Sequence, residues 1–329
     1  MQDHPSSTSR FAVFAWATLG YLILVVLWGA YVRATGSGAG CGEHWPLCNG
    51  QFLPRSPRLE TIIEFSHRLS SGLSLVLVGG LVFWSFKRFG KGHATRHGAV
   101  LSTVFLLLEA AVGAGLVLLD LVAHNTSASR AVAIAIHLVN TFILLGCLTY
   151  TASFASLGIA ERFKRHAGRL RTGVVLGGIL LFLVVGAAGA IVALGDTLFP
   201  AKSLAEGMQQ DWSPTAHFLI RLRVLHPILA VTTAVYLVVM GGFLRNRDPR
   251  PIIFRLTRGL TLIICLQVAL GVLNMMLLAP IWLQMVHLLA ADLTWILLVA
   301  IGVVTLREPE TELLSKTVSK QPLPEQVGA

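Results

Sequence analysis

Long apolar runs separated by short polar stretches give this chain its pattern. A helix needs about 20 apolar residues to cross the hydrocarbon of a bilayer. Eight runs reach that length: 11–32, 61–86, 98–120, 130–152, 172–195, 215–243, 259–279 and 281–305. Only Ala279-Pro280 parts the last two, and a proline there suits a tight turn between helices, so the pattern predicts eight spans rather than seven. The polar stretches assign a tail 1–10, an outer loop 33–60, a basic linker 153–171, a second outer loop 196–214 and a tail 307–329.

Composition turns this list of helices into an integral membrane protein. Charged residues make up 13% of the chain and mean hydropathy is +0.72, whereas a soluble domain carries roughly 25% charged residues. The net charge of +10 would suggest nucleic acid if the protein were soluble. The places of the basic residues say otherwise. With the N-terminus inside, 18 Lys and Arg fall on inner segments, mostly at 87–96, 162–171 and 245–258, against 5 on outer segments (Arg33, Arg55, Arg58, Arg130 and Lys202). That asymmetry puts both termini in the cytoplasm and loops 33–60 and 196–214 outside the cell (plasma or inner) membrane, with no nucleic-acid partner. The first run is longer than a signal-peptide core, and the small residues at 36–40 leave a cleaved signal as the lesser reading. The acidic, proline-containing tail 307–329 is expected to be disordered.

The chain divides at the linker into halves, 11–152 and 172–306, of four helices each. Gly29-Ala30-Tyr31-Val32 answers Gly189-Ala190-Ile191-Val192, and His67 answers His226. Glu109-Ala-Ala-Val-Gly113 answers Gln267-Val-Ala-Leu-Gly271, and His137 answers His287. Four helices per half preserve orientation, so the repeat is parallel. The expected fold is all-α: eight transmembrane helices as two tandem four-helix bundles.

Against this apolar background Glu64-Phe65-Ser66-His67-Arg68 stands out, because an acid, an imidazole and a guanidinium are costly at membrane depth. Glu64 and His67 share a helix face. His137, His226 and His287 also lie in apolar runs near their outer ends, His67 and His137 about 10 Å in at 1.5 Å per residue. One such histidine reads as a core imidazole bonded to a carbonyl. Four of them, repeated by position, read as ligands, and a facing pair in each bundle suits a haem iron with an imidazole on each axial side. Zinc would want three or four ligands, usually with cysteine or carboxylate help. A di-iron bundle would want Glu-x-x-His twice, and the spans offer it once, at Glu64 and His67.

Arg33, Arg68, Arg221 and Arg223 stand near the outer ends, either to meet haem propionates or to snorkel to the interface. Glu64 has Arg223 at the aligned position, which makes the first half the candidate reaction site, with Glu64 as a base or a stabiliser of positive charge. The second half then reads as a plain bis-histidine electron site. Cys41 and Cys48 lie in the outer loop, as a structural staple or a redox-active pair. Cys147 and Cys265 lie inside helices and read as packing residues.

The run Tyr31-Val32-Arg33-Ala34-Thr35-Gly36-Ser37-Gly38, then Cys41, then Trp45-Pro46-Leu47-Cys48-Asn49-Gly50 and Glu64-Phe65-Ser66-His67-Arg68 resembles the haem A (heme A) synthases, in the bacterial type with a cysteine pair in the first outer loop. The eight helices, the duplicated bundle and the four histidines extend the resemblance to nearly the whole chain. It implies an oxidoreductase that oxidises the C8 methyl group of haem O to a formyl group, giving haem A for cytochrome oxidase. It implies that His67 and His137 flank the substrate haem, with Glu64 as the catalytic acid beside it. His226 and His287 would ligate the iron of a haem b cofactor, and Cys41 and Cys48 would form a loop disulfide. The implied partners are haem O and the haem O synthase that supplies it, cytochrome oxidase assembly, an electron acceptor, and the lipid bilayer from which haem O enters. Gly42-Glu43-His44 departs from the family pattern in being more polar.

Two other classes compete. A di-haem b-type cytochrome passing electrons, for example from quinol, would leave Glu64 and the cysteine loop without a task. A haem-binding transporter or chaperone is favoured by the repeat but not by four fixed ligands.

Overall fold

A computed structural model describes residues 6–55, 57–157 and 168–306. The predicted tail 307–329, the first residues of tail 1–10 and the centre of the linker lie outside the described residues. The described chain is all-α: α1 (Ser6–Ala34), α2 (Leu59–Arg88), α3 (Ala94–Leu118), α4 (Ala128–Leu157), α5 (Arg169–Leu198), α6 (Leu204–Trp212), α7 (Phe218–Arg221), α8 (Leu225–Arg247), α9 (Pro251–Met276) and α10 (Ile281–Thr305). Eight segments are long and apolar enough to cross a membrane, α7 and α8 together forming one of them.

Most helices overrun their apolar runs at the ends predicted to be inner, where charged turns continue the hydrogen-bond ladder. So α9 begins at Pro251, eight residues before the expected start, with proline in the first turn, where its missing N–H costs nothing. The described parts of α4 and α5 reach into the predicted linker 153–171, to Leu157 and from Arg169. The Ala279-Pro280 turn is as predicted: α9 stops at Met276, Leu278 and Ala279 take positive φ (58° and 52°), and Pro280 caps α10.

Two departures fall in the second half. Loop 196–214 contains α6, capped by Ser203, whose hydroxyl accepts the Glu206 N–H at 3.2 Å, while Glu206 accepts the Lys202 N–H at 3.0 Å. The predicted span 215–243 is broken at its outer end into α7, a 3₁₀ turn (Leu222–Val224) and α8. Pro227 explains the break, since it has no N–H to give the carbonyl four residues back, that of Arg223.

In sequence order, each half closes a ring of neighbours: α1–α2–α3–α4 and back to α1, then α5–α8–α9–α10 and back to α5. The rings meet through α1 and α4 of the first half and α5 and α10 of the second. Because α1 corresponds to α5 and α4 to α10, this interface follows the repeat. At its centre Phe142, Phe182 and Trp295 pack together, with centroids 5.3–5.7 Å apart, and the Trp295 indole N–H donates to the Phe142 carbonyl at 2.5 Å. Gly186 makes room there, since a Cβ on it would stand 2.6 Å from the Phe142 ring.

Candidate functional site

The four histidines come together in pairs, one pair per bundle. His67 on α2 and His137 on α4 lie within electrostatic reach of each other, as do His226 on α8 and His287 on α10. Each packs against a glycine on the preceding spanning helix. A Cβ on Gly29 of α1 would stand 2.8 Å from Cε1 of His67, and one on Gly189 of α5 2.9 Å from Cε1 of His226. On Gly113 of α3 it would stand 3.8 Å from His137, and on Gly271 of α9 3.3 Å from His287. The glycines that aligned the halves in the sequence are thus the surfaces on which the imidazoles lie.

All four Nδ1 atoms are buried without a hydrogen-bond partner of good geometry, the Val185 carbonyl making only a marginal approach to His226. Nδ1 of His137 differs from the other three in facing the Glu109 carboxylate at 3.4 Å. Among the described residues no three His, Cys, Asp or Glu side chains converge as a bare metal ion would need. Two imidazoles per bundle fit a haem, which brings four equatorial ligands of its own.

Glu64 has a task that the sequence reading did not foresee. One carboxylate oxygen accepts from Arg68 Nε (3.1 Å) and Nη2 (2.5 Å), and the other accepts the Cys41 backbone N–H at 2.8 Å. Arg68 goes on to donate to the carbonyls of His44 and Leu47, both at 2.6 Å. Cys41 and Cys48 form the disulfide implied by the resemblance, both fully buried. The bond lies inside the loop rather than on its surface. Thr61 donates to the Gly40 carbonyl at 2.7 Å, and Gly40 itself lies so close to the Glu60 carbonyl that no side chain fits. The outer loop is thereby fastened onto the start of α2.

Arg223, at the aligned position, anchors the second half's outer segment with the opposite charge. Its Nε lies 2.9 Å from Asp196 and its Nη1 3.8 Å from Asp211 on α6, and Nη2 donates to the Gly195 and Phe199 carbonyls at 3.0 and 2.6 Å. Arg33 crosses between the halves, donating to the Ala193 carbonyl and Thr197 (both 2.7 Å) and to Gln284 (2.9 Å). Of the four arginines considered for propionates, these three spend their guanidinium groups on protein acceptors, and Arg221 is exposed.

Sequence reasoning missed Glu109. Its Oε1 lies 3.4 Å from Nδ1 of His137, across from α3 to α4. The aligned Gln267 places its amide nitrogen 3.2 Å from Nε2 of His287. The repeat carried the signal, since the aligned blocks differ in acid against amide. Asp292, fully buried on α10 with neither oxygen bonded to a described residue, was also passed over. A cavity of about 490 Å³ where α2 ends and α3 begins, lined by Phe86, Lys91 and Arg96, touches none of the four ligand candidates.

Residues 12–299 match the COX15-CtaA family model, described as cytochrome oxidase assembly protein. A protoheme IX farnesyltransferase of Thermus thermophilus is 46% identical over 291 residues, covering 88% of this chain and 48% of the relative. Heme A synthases of Bacillus cereus and Bacillus anthracis are 44% identical over 131 residues, covering 39% of this chain and 41% of theirs. The chain spans about half the length of the curated relatives it matches.

Proposed function

Because the chain belongs to the COX15-CtaA family of cytochrome oxidase assembly proteins, we propose that it is a haem A synthase, oxidising the C8 methyl group of haem O to the formyl group of haem A. The observation that carries this reading is the repeated imidazole pair, one pair per bundle, with each ring seated on a glycine. In this reading His67 and His137 hold the substrate haem in the first bundle. His226 and His287 hold a haem b, whose iron supplies one-electron chemistry. Glu64 serves the first site by fixing Arg68 and the stapled loop over it, and direct proton transfer is the role that its substitution tests. With water as the source of the formyl oxygen, the oxidation releases four electrons and four protons, the electrons leaving to an acceptor outside the chain, and the protein sits in the cell membrane with both termini cytoplasmic.

The Thermus relative is named for farnesyl transfer, and this chain accounts for 48% of it. We assign the named reaction to the remainder of that relative. The family model that residues 12–299 match is one of cytochrome oxidase assembly, which favours that division. A farnesyl-transferring membrane protein is therefore the proposed neighbour and the source of haem O.

Co-expression with a source of haem O, followed by haem extraction, tests the assignment. Formylated haem is expected with the intact chain and not without it. Haem b alone, with haem O present, would return the protein to the class of di-haem cytochromes.

A further inference from the structure

The two bundles hold their fourth-helix histidines differently, and three aligned positions change together. In the first half the Glu109 carboxylate is clamped from α4: Asn140 Nδ2 donates to one oxygen at 2.5 Å and the Thr141 hydroxyl donates to the other. The Asn140 amide also donates to the Phe105 carbonyl at 2.9 Å, while the Thr141 hydroxyl shares its one proton between Glu109 and the His137 carbonyl at 2.9 Å. The oxygen that Thr141 holds is the one 3.4 Å from Nδ1 of His137. In the second half Gln267 replaces Glu109, and Ala290-Ala291 replace Asn140-Thr141. The amide nitrogen of Gln267 faces His287, its oxygen has no partner, and the clamp is gone. Packing alone gives no reason to bring a carboxylate and two polar side chains to one histidine of a repeated pair and apolar alanines to the other.

We propose that Glu109 is a positioning residue for the substrate haem: held by Asn140 and Thr141, it accepts the Nδ1–H of His137, turns Nε2 toward the iron, and makes His137 the strongest electron donor among the four imidazoles. A ligand histidine is oriented and made more basic by the group that accepts its other N–H. A carboxylate does this more strongly than a carbonyl or an amide. Gln267, offering its N–H₂ side, gives His287 no such push. The chain thus sets its two irons apart, the first electron-rich and suited to oxidative chemistry, the second a neutral bis-imidazole relay. The inference rests on the reading of His137 as a ligand of the substrate haem.

The test uses the purified, haem-loaded protein, read by redox titration and by electron paramagnetic resonance of the oxidised low-spin haems. Glu109→Gln is expected to keep both haems, raise the midpoint potential of the first-half haem, shift its g values and leave the second-half haem unchanged. Haem A formation should fall about tenfold or more in kcat with KM within about twofold. An unchanged potential and unchanged g values in this variant overturn the proposal. If His137→Ala nevertheless abolishes the first-half signal, the ligand reading survives. A His137→Ala protein that keeps that signal overturns both. Should Glu109→Gln fail to accumulate, Asn140→Ala with Thr141→Ala, the residues found at the aligned positions, decides: it is expected to raise the midpoint potential of the first-half haem, and no change there overturns the proposal.

Discussion

A glycine under each histidine ties the ligand's place to the absence of one methyl group. Alanine is favoured over glycine in a helix by about 1 kcal/mol, so Gly→Ala should stabilise these helices wherever space allows. At Gly113 it does, since the new Cβ would meet His137 at an ordinary contact of 3.8 Å. At Gly189 it does not, with Cε1 of His226 at 2.9 Å. Gly189→Ala is therefore expected to deplete the b-type haem severalfold in the reduced spectrum, while Gly113→Ala leaves haem content unchanged. Equal haem in both variants would remove the cradle argument. Glu64→Gln separates the two tasks open to that residue. Glutamine can still accept the Cys41 N–H but loses the charge pair with Arg68. Haem binding should persist and haem A fall about tenfold or more, whereas near-normal haem A would leave Glu64 a fastener of the loop only. The histidine pairs were legible in the sequence because an imidazole in an apolar helix, repeated by position, has few innocent explanations. Glu109 was not, because its approach to His137 runs between helices, and no spacing along one helix reports it.

At the scale of elements, what the sequence showed well was apolar length, and what it hid was local polar bonding. All eight spans appear where apolar runs predicted them, since nothing but a helix satisfies its backbone in lipid. The short α6 was missed although Ser203-Leu204-Ala205-Glu206 carries a capping-box pattern. It lies in a polar loop with no apolar periodicity to draw attention. The broken start of the sixth span was also legible in principle, from Pro227 beside His226. The α8–α9 junction allows a test of such local bonding. Asp248 ends α8 and accepts from the Arg250 backbone N–H (3.2 Å), Nε (2.8 Å) and Nη2 (2.6 Å), with Arg171 at 4.0 Å. These side-chain hydrogen bonds from Arg250, aided by its backbone N–H and by both guanidinium charges, hold the Asp248 carboxyl below its ordinary 3.8. A carboxyl depressed on folding adds stability above its unfolded value of about 3.9 and loses it as pH falls through the lowered folded value. Asp248→Asn should thus cost about 1–2 kcal/mol at neutral pH, measured as thermal unfolding in detergent. The gap between the two proteins should shrink as the pH is taken below about 4. A gap of constant size from pH 7 to acid would show that charge plays no part in it.

For the whole molecule, the repeat predicted two bundles but not which helices join them. That depended on close approaches such as Gly186 on Phe142, which no hydropathy pattern reports. Lipid supplies no hydrophobic drive between helices, so packing and polar bonds must hold the halves together. Two sets do so here: the Phe142, Phe182 and Trp295 cluster with its indole-to-carbonyl bond, and Arg33 reaching from α1 to Ala193, Thr197 and Gln284. The chain runs from α4 to α5 through residues outside the described ones. A chain cut between Arg162 and Phe163 and expressed as two pieces should therefore reassemble. Each piece keeps an even number of spans and inner basic residues, so each inserts in its native orientation. A tag on the first piece is expected to recover the second in near-equal amount, with both haem signals present. Trp295→Ala removes a buried aromatic worth about 3–5 kcal/mol, and Arg33→Ala removes the outer bonds. Together in the split protein they should reduce recovery about tenfold or more, while the same pair in the uncut chain should still accumulate because the linker holds the halves near each other. Full recovery of the doubly substituted split protein would show that the bundles are held by something other than this interface. Failure of the unsubstituted pieces to meet at all would show that the linker, not the packing, makes the two halves one protein.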